Sequence, residues 1–403
     1  MYRDCKANIS RLAKEGVRMR VGVVTFWSNP ENYGSQLQCY ALQQYLCSRG
    51  HEPYLIRWTP DYSSVETDNR TRTSIVAKLK HLANPFWWAR FIKLRISRKR
   101  GRLFIESHPR CFEDFRQKHL KMSREYSSIS DLRADPPVAE AYICGSDQVW
   151  NWYFISEEAK GNFLDFGSHS TKRIAFAASI GLSKDSEEYY TFAKSLLARF
   201  DAISVRESSG VEICKRSGGE KPVRICDPTL LLKRESFSDL TEKNRQIDAG
   251  LDVLCYFLNI SSAKDVGWKD LKGYFRDKGM RYAVIPAQGA EMCFGSNEMF
   301  APTVEGFLDA YRHARLVVTN SFHGVAMSIV FHKQFVYIPQ NKATAEQNVR
   351  VLEILKETAL DGRIMKPGDA LSDFEAEIDW HKADAWRNLM KEKADKFLGS
   401  AGL

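Results

Sequence analysis

The sequence lacks the patterns that mark membrane-spanning, secreted and zinc-binding proteins. No run of about 18 consecutive apolar residues occurs, so no spanning helix is expected. Residues 1–20 mix charged and isolated apolar residues and contain no apolar core of a signal peptide. The nine cysteines are an odd number without a C-x-x-C pair, and no Cys/His cluster has ligand spacing. We therefore expect reduced thiols, no metal site and a cytoplasmic location.

Length and composition predict two folded domains. A chain of 403 residues exceeds what one hydrophobic core usually organises. The 44% of hydrophobic and 27% of charged residues are ordinary for a globular protein and argue against long-range disorder.

The net charge of +9 is concentrated in residues 70–124, where basic residues greatly outnumber acidic ones. Five aromatic residues are interleaved with these charges, namely Trp87, Trp88, Phe91, Phe104 and Phe112. Three interpretations are open: a solvated helical face, a surface for anionic membrane or lipid-linked phosphate, and a nucleic-acid interface. No recognised nucleic-acid module accompanies the charge, so no nucleic-acid partner is expected. Peripheral contact with the inner face of the membrane stays open.

Apolar runs alternate with helical patterns along most of the chain. The first unit is a strand at 21–26, a polar loop, a helix at 35–49 closed by Gly50, and a strand at 53–58. Further strands are predicted at 141–144, 173–178, 201–205, 223–226, 251–258, 281–286, 316–319 and 335–338, with helices between them. This alternation is typical of doubly wound α/β sheets.

We therefore predict an α/β protein with two Rossmann-like domains facing a central cleft. The predicted N-terminal domain covers residues 18–226, with a basic helical insertion at about 70–125. The C-terminal domain covers 227–370, and a final helix within 371–403 packs back across both domains. Ligands of open α/β folds bind at the carboxyl ends of the strands.

Small and polar residues follow the first strand and a strand in the middle of the N-terminal half. In NYGS at 32–35, Gly34 permits close backbone approach to a ligand, while Asn32 and Ser35 either help bind an anion or merely cap the helix. In GSDQ at 145–148, Ser146, Asp147 and Gln148 are suited to gripping hydroxyl groups.

Neighbouring residues extend the GSDQ site and leave structural alternatives open. Trp150 is a candidate for stacking on a sugar ring, although aromatic residues are more often structural. A helix cap is the alternative role of Ser146 or Asp147.

The two strongest candidates for chemistry are Arg206 and His323. Arg206 ends a strand in SVRE, where its guanidinium could grip phosphate or carboxylate, or instead pair with Glu207 or Asp227. His323 lies in TNSFHG at 319–324, at a strand-to-helix turn flanked by small polar residues and Gly324. A lone histidine is usually structural, but this setting favours a functional role.

Taken in order, these motifs resemble the polysaccharide pyruvyl transferase family. The resemblance rests on NYGSQLQ at 32–38 with Ala41-Leu42, GSDQVWN at 145–151, SVRE at 204–207, DPTLL at 227–231 and NSFHG at 320–324. NVR at 348–350 with DGR at 361–363 fits the closing segment of the family. The match covers most of the chain.

The resemblance implies two Rossmann-like domains arranged as in GT-B glycosyltransferases. It also implies transfer of the pyruvyl group of phosphoenolpyruvate onto two hydroxyls of one sugar, with a ketal and phosphate as products and no cofactor beyond that co-substrate. By this similarity His323 would be the acid/base and Arg206 would hold the phosphate or carboxylate of the donor. The acceptor would be a sugar or a lipid-linked oligosaccharide.

One position departs from the family pattern. Family members often have Arg-Leu before the histidine, whereas this sequence has Ser321-Phe322. Arg350 is a candidate replacement, as are the backbone N–H groups of Gly324 and Val325, with Ser321 beside them. Two other functions stay open: a GT-B glycosyltransferase that uses a nucleotide sugar, and a non-catalytic glycan- or membrane-binding protein.

Overall fold

The computed structural model describes most of the chain at the level of individual residues. The described ranges are 18–29, 32–60, 85–151, 155–181, 186–241, 250–287, 289–340 and 342–403. The predicted basic insertion therefore lies partly outside the described residues.

The N-terminal half forms a seven-stranded parallel sheet in the order β3-β2-β1-β4-β5-β6-β7. Its strands are β1 (Arg20–Val24), β2 (Glu52–Trp58), β3 (Met122–Tyr126), β4 (Ala141–Cys144), β5 (Lys172–Ala178), β6 (Ala202–Val205) and β7 (Val223–Arg224). Its helices are α1 (Tyr33–Ser48), α2 (Pro85–Ser107), α3 (Phe112–His119), α4 (Ile129–Ala134), α5 (Glu187–Leu197), α6 (Ser208–Arg216) and α7 (Arg234–Ser238). The central strands are short apolar runs buried on both faces, as all-parallel sheets require.

The C-terminal half forms a four-stranded parallel sheet in the order β11-β10-β8-β9. Its strands are β8 (Val253–Leu258), β9 (Tyr282–Ala287), β10 (Leu316–Thr319) and β11 (Gln334–Tyr337). The remaining helices are α8 (Trp268–Asp277), α9 (Val304–His313), α10 (Phe322–Phe331), α11 (Asn348–Glu357) and α12 (His381–Ser400). The predicted fold class, an α/β chain with two Rossmann-like sheets, is confirmed.

Each sheet has a point where the strand order reverses, between β1 and β4 in the first and between β8 and β10 in the second. Ligands of doubly wound folds bind in the crevice beyond the strand ends at such points. Asn320 follows β10 and holds this crevice in shape. Its amide accepts from the N–H of Leu258 at 2.9 Å and donates to the carbonyl of Leu258 at 2.8 Å, which extends the pairing of the two strands by side-chain bonds.

Helix α12 contacts both halves of the molecule. Its buried stripe has the spacing of one helical face and consists of Ala383, Trp386, Met390, Ala394, Phe397 and Leu398. On the side of the first sheet, Asp395 accepts from Tyr45 at 2.6 Å and from Arg49 at 2.8 Å. On the side of the second sheet, Asp384 pairs with His332 at 2.9 Å.

Two elements of secondary structure differ from the sequence-based prediction in type or continuity. The basic insertion is helical in α2 and α3, but residues Met122–Tyr126 form β3, the edge strand beside β2. The helix predicted between the strands at 251–258 and 281–286 is two pieces, because Gly267 has φ +61° and separates a short 3₁₀ turn from α8. Within the described ranges, no helix combines the length and apolarity needed to cross a bilayer.

Candidate active site

His323 is the second residue of α10, immediately beyond the end of β10. Ser321 caps this helix: its hydroxyl accepts from the N–H of Gly324 at 3.3 Å, and its carbonyl accepts from Val325 at 3.1 Å. A Cβ atom on Gly324 would lie 2.2 Å from Thr319 Oγ1, so only glycine fits this turn. The N–H groups of Gly324 and Val325 are thus already bonded, which speaks against the predicted alternative in which they hold the donor.

The imidazole of His323 packs directly against Gly34 from the other half of the chain. A Cβ atom on Gly34 would lie 2.1 Å from His323 Nδ1, far inside van der Waals contact. Asn32 caps α1 by accepting from the N–H of Gly34 at 2.9 Å, and the hydroxyl of Ser35 donates to the Asn32 carbonyl at 2.8 Å. In this structure Gly34 therefore permits close approach of the histidine, and Asn32 and Ser35 make helix-capping contacts.

Tyr33 fixes this contact between the two halves. Its hydroxyl donates to the Pro302 carbonyl at 2.6 Å, and its ring stacks on Phe307 with centroids 4.5 Å apart. Burial raises the pKa of Tyr33 far above its ordinary value, so the hydroxyl stays a hydrogen-bond donor.

Asp227 is the charged centre of the site and touches both halves. Its Oδ2 accepts from Arg206 Nη1 at 2.8 Å and from the Ser146 hydroxyl at 3.0 Å, and lies 3.7 Å from His323 Nε2. Its Oδ1 accepts from the N–H of Thr229 at 3.0 Å and from the Thr229 hydroxyl at 2.7 Å. Burial raises the pKa of Asp227, but His323, Arg206 and the Thr229 N–H outweigh it and hold that pKa well below its usual range.

The sequence indicates Asp227 as a possible partner of Arg206 and as the first residue of the DPTLL motif, but does not connect it with His323. The available signal was the DPT sequence directly after a strand, because aspartate followed by Pro-Thr is suited to capping a turn. That signal gives no information about His323, which is almost a hundred positions away in the sequence.

Arg206 lies at the end of β6 and is almost wholly buried. Besides Asp227, its Nε donates to Glu207 Oε1 at 3.3 Å, so both pairings considered from the sequence occur. Burial lowers the pKa of Arg206, yet the carboxylates of Glu207 and Asp227 leave that pKa raised. Its Nη2 has no hydrogen-bond partner among the described residues. Its guanidinium carbon lies 4.5 Å from the centroid of the Phe322 ring.

A second buried guanidinium, that of Arg350 in α11, stands close to the first. Its carbon lies 5.6 Å from the same Phe322 ring. With the Gln148 amide oxygen turned toward it, Arg350 donates from Nη2 at 2.8 Å and from Nη1 at 2.9 Å. Burial and the charge of Arg206 lower the pKa of Arg350 to about 10, against the opposing pull of Glu207 and Asp147. Two cations are thus held together where an anion would relieve their repulsion.

The residues of the GSDQ segment mainly hold other residues of the site in position and contribute little to its exposed surface. Gly145 has φ +119°, and a Cβ atom there would meet the Phe176 carbonyl oxygen at 2.1 Å. Ser146 is fully buried, and besides its bond to Asp227 its N–H donates to Gln38 Oε1 at 3.3 Å. Asp147 accepts from the N–H of Gln148 at 2.8 Å. Of the three predicted acceptor-binding residues in this segment, Gln148 is the most exposed.

The predicted stacking role of Trp150 is wrong. The Trp150 side chain is 1% exposed and belongs to the core of the first sheet. Its ring stacks on Phe163 with centroids 5.0 Å apart, and its Nε1 donates to the Asn162 carbonyl at 3.1 Å. A sugar ring cannot reach a face that Phe163 already covers.

The free energy of unfolding should depend on pH through Asp227. Because the folded pKa lies below the unfolded value, the ionised carboxylate stabilises the fold above about pH 4, and this contribution is lost as the pH falls below it. Asp227→Asn should lower the free energy of unfolding by about 3–5 kcal/mol near pH 7, since Arg206 loses a buried partner. Urea denaturation at a series of pH values measures both effects.

The difference in stability between the two proteins should shrink progressively as the pH falls below about 4, where Asp227 takes up a proton in the unfolded wild-type chain while the folded carboxylate stays ionised. Asp270→Asn, at an exposed position of α8, is the control and should leave the pH profile unchanged. If the free energies of unfolding of wild type and Asp227→Asn fell in parallel as the pH is lowered, the assignment of a depressed pKa to Asp227 would be contradicted.

Comparisons with known proteins place the chain as follows. The family model described as polysaccharide pyruvyl transferase matches residues 32–341. Among solved structures, the UDP-GlcNAc 2-epimerase of Methanocaldococcus jannaschii aligns over 94% of this chain and 99% of its own, at 10% identity and a TM-score of 0.49. The UDP-GlcNAc 2-epimerase of Neisseria meningitidis aligns over 95% of this chain and 97% of its own, at 8% identity and a TM-score of 0.43. Neither likeness is close enough to indicate function, and a search of curated proteins finds no match.

Proposed function

The chain belongs to the polysaccharide pyruvyl transferase family, and we propose that it moves the pyruvyl group of phosphoenolpyruvate onto two hydroxyls of one sugar. The product is a cyclic ketal on a precursor of a surface polysaccharide such as a capsule or exopolysaccharide, and phosphate is released. The observation that carries this proposal is the pair of buried guanidiniums, Arg206 and Arg350, beside His323.

Phosphoenolpyruvate is a small trianion that suits this pair. It bears a phosphate and a carboxylate on one carbon, and each group can accept two parallel hydrogen bonds from a guanidinium. Arg206 Nη2 makes no hydrogen bond with any residue that the structure describes, and the pKa of Arg350 is held down partly by its like-charged neighbour, so a bound anion would stabilise both. Arg350 thus takes the place of the arginine that Ser321-Phe322 lacks, and Ser321 acts through the α10 cap.

The chemistry needs a proton donor at the enol carbon. We assign this role to His323, whose Nε2 makes no hydrogen bond among the described residues. Its proton adds to the CH₂ carbon of the donor, and the first sugar hydroxyl bonds to the adjacent carbon and returns a proton to the imidazole. The bond from that carbon to the phosphate oxygen then breaks, the second hydroxyl closes the ketal, and its proton leaves with phosphate. The two guanidiniums stabilise the departing phosphate.

Substrates require the two halves of the chain to separate before they reach this site. His323 is 5%, Arg206 3% and Arg350 8% exposed. The contacts that close over the site join the halves at Gly34–His323 and Gln148–Arg350. We assign acceptor binding to Gln148 and Asp147, whose side chains border Arg350, and place Ser146 beneath them as the support of Asp227.

The acceptor is proposed to be a sugar of a lipid-linked oligosaccharide, modified in the cytoplasm at the inner face of the membrane. The direct test is incubation of the purified protein with phosphoenolpyruvate and a panel of such oligosaccharides. Free phosphate and a mass increase of the acceptor by one pyruvyl ketal are expected together. Release of a nucleoside diphosphate from a nucleotide sugar, without phosphate from phosphoenolpyruvate, would replace this proposal by a glycosyltransferase.

Arg350→Gln should separate donor binding from folding. We expect the KM for phosphoenolpyruvate to rise about 10-fold or more, because one guanidinium of the pair is lost. The free energy of unfolding should stay the same or rise, since a buried charge beside Arg206 is removed. Steady-state kinetics and urea denaturation measure the two quantities. Arg276→Gln, which removes an exposed arginine of α8, should change neither; an unchanged KM in Arg350→Gln would remove Arg350 from the donor site.

A further inference from the structure

Helix α2 borders a groove away from His323. A cavity of about 510 Å³ lies along the helix, and a second of about 350 Å³ adjoins it between the end of α2 and residues 299–303. Phe104 and His108 line both cavities, so the two form one continuous groove. The combined size is in the range of small-molecule sites, which occupy about 300–1,000 Å³.

The inner face of α2 is firmly packed on the C-terminal half. Phe104 is buried in the core around β8 and β9. Gly101 brings the helix close: a Cβ atom there would lie 3.0 Å from Glu291 Cγ and 3.3 Å from the Met292 nitrogen. A glycine within a helix loses about 1 kcal/mol of helix stability relative to alanine, which is consistent with a need for close docking. The groove is therefore built on a fixed helix.

The outer stripe of α2 combines apolar and basic side chains. Ile96, Lys99, Arg100 and Leu103 follow one another at helical spacing and share one face. Ile96 is 62% and Leu103 53% exposed, although both are large aliphatic residues. Lys99 forms no salt bridge with any described residue, and Arg100 donates to the Phe294 carbonyl at 3.0 Å, which holds it at the rim.

We propose that this groove binds one amphipathic anion, a lipid with a phosphate headgroup. The hydrocarbon chain would lie over Ile96, Leu103 and Phe104, and the phosphate would bind Lys99 and Arg100. Charge complementarity selects this occupant, because a neutral hydrocarbon would leave the cations unused and a free phosphate would leave the aliphatic residues exposed. Between Arg95 and Ser107 the helix has five basic residues and one acidic residue, Glu106.

The groove is connected to the active site through a short series of contacts. Pro302 lines its second cavity and accepts the hydrogen bond of the Tyr33 hydroxyl. Tyr33 precedes Gly34, which packs on His323. In the proposed function, a lipid seated in the groove would be the carrier of the acceptor sugar. This role as a site for the lipid carrier of the acceptor rests on the proposed function, whereas the binding itself does not.

The experiment measures binding of decyl phosphate, decanol and inorganic phosphate to the full chain by calorimetry, with decyl phosphate below its micelle concentration. Decyl phosphate should bind at least about 10-fold more tightly than either other probe, since only it satisfies both parts of the groove. Lys99→Glu and Leu103→Ser should each weaken it by about fivefold or more. The matched controls are Lys391→Glu and Leu389→Ser on α12, where both residues are exposed, and they should not change binding.

Three outcomes would overturn the proposal: equal binding of all three probes, equal weakening by the α12 controls, or adsorption to phosphatidylglycerol vesicles without binding of monomeric decyl phosphate. The last would mean a charged surface in place of a lipid site. Pyruvyl transfer onto a water-soluble acceptor tests the proposed function separately. If Lys99→Glu retains that transfer while decyl phosphate fails to bind wild type, only the lipid site is refuted.

Discussion

Replacing His323 with Gln should lower kcat for pyruvyl transfer by about 10²–10⁴-fold, the usual contribution of a positioned acid/base. Glutamine has nearly the reach of histidine and can still hydrogen-bond near Asp227, but it cannot give a proton to the enol carbon. Phosphate release from phosphoenolpyruvate under saturating donor and acceptor measures kcat. Binding of phosphoenolpyruvate should change little, because the two guanidiniums are untouched.

The matched control for this substitution is His381→Gln. His381 also begins a helix, α12, but its side chain is exposed and far in sequence from the site. The kcat of His381→Gln should equal that of wild type. Circular dichroism and Tm of both variants separate the loss of a proton donor from unfolding. A His323→Gln protein that is folded and turns over at more than about one tenth of the wild-type rate would remove His323 from the acid/base role.

Replacing Gly34 with Ala should lower kcat by about 10²-fold although Gly34 touches no reacting atom in the proposed mechanism. The new methyl group would lie 2.1 Å from His323 Nδ1, so the imidazole must turn away or the two halves must separate. Misplacement of a catalytic group by about 1 Å is enough for an effect of that size. The free energy of unfolding should fall by about 1–3 kcal/mol through overpacking. Steady-state kinetics and urea denaturation measure the two effects.

The kinetic pattern of Gly34→Ala decides between two roles of the NYGS loop. A lower kcat with unchanged KM for phosphoenolpyruvate indicates displacement of His323, whereas a higher KM with unchanged kcat indicates that Gly34 lies against the donor. Gly273→Ala in α8 is the control, because the added methyl group would have no described residue within 4 Å apart from the backbone of its own helix. It should keep wild-type kcat and gain up to about 1 kcal/mol of stability. A Gly34→Ala protein with wild-type kcat would mean that the close contact is dispensable.

The sequence predicted the strands well wherever local apolar runs decide the structure. The bounds of β4 and β10 match the predicted residues 141–144 and 316–319, since short runs buried on both faces carry a strong signal. Strand β3 was missed because MSREY is half polar and lies at the sheet edge, where burial is least. Trp150 was misassigned for a related reason: sequence cannot tell an aromatic residue that is covered by Phe163 from one that faces a ligand.

The sequence motifs already contain the histidine, the arginines and the glycines of the site. The sequence also determined that most of these residues lie where predicted strands end. Only the tertiary structure decided which of them meet. It brings Asp227 to His323, sets Gly34 against the imidazole, and pairs Arg206 with Arg350 across Phe322. The physical reason is that secondary structure depends on neighbours within a few residues, whereas these contacts join segments from almost a hundred to almost three hundred positions apart. Their geometry follows from how the two sheets pack, which no local pattern encodes.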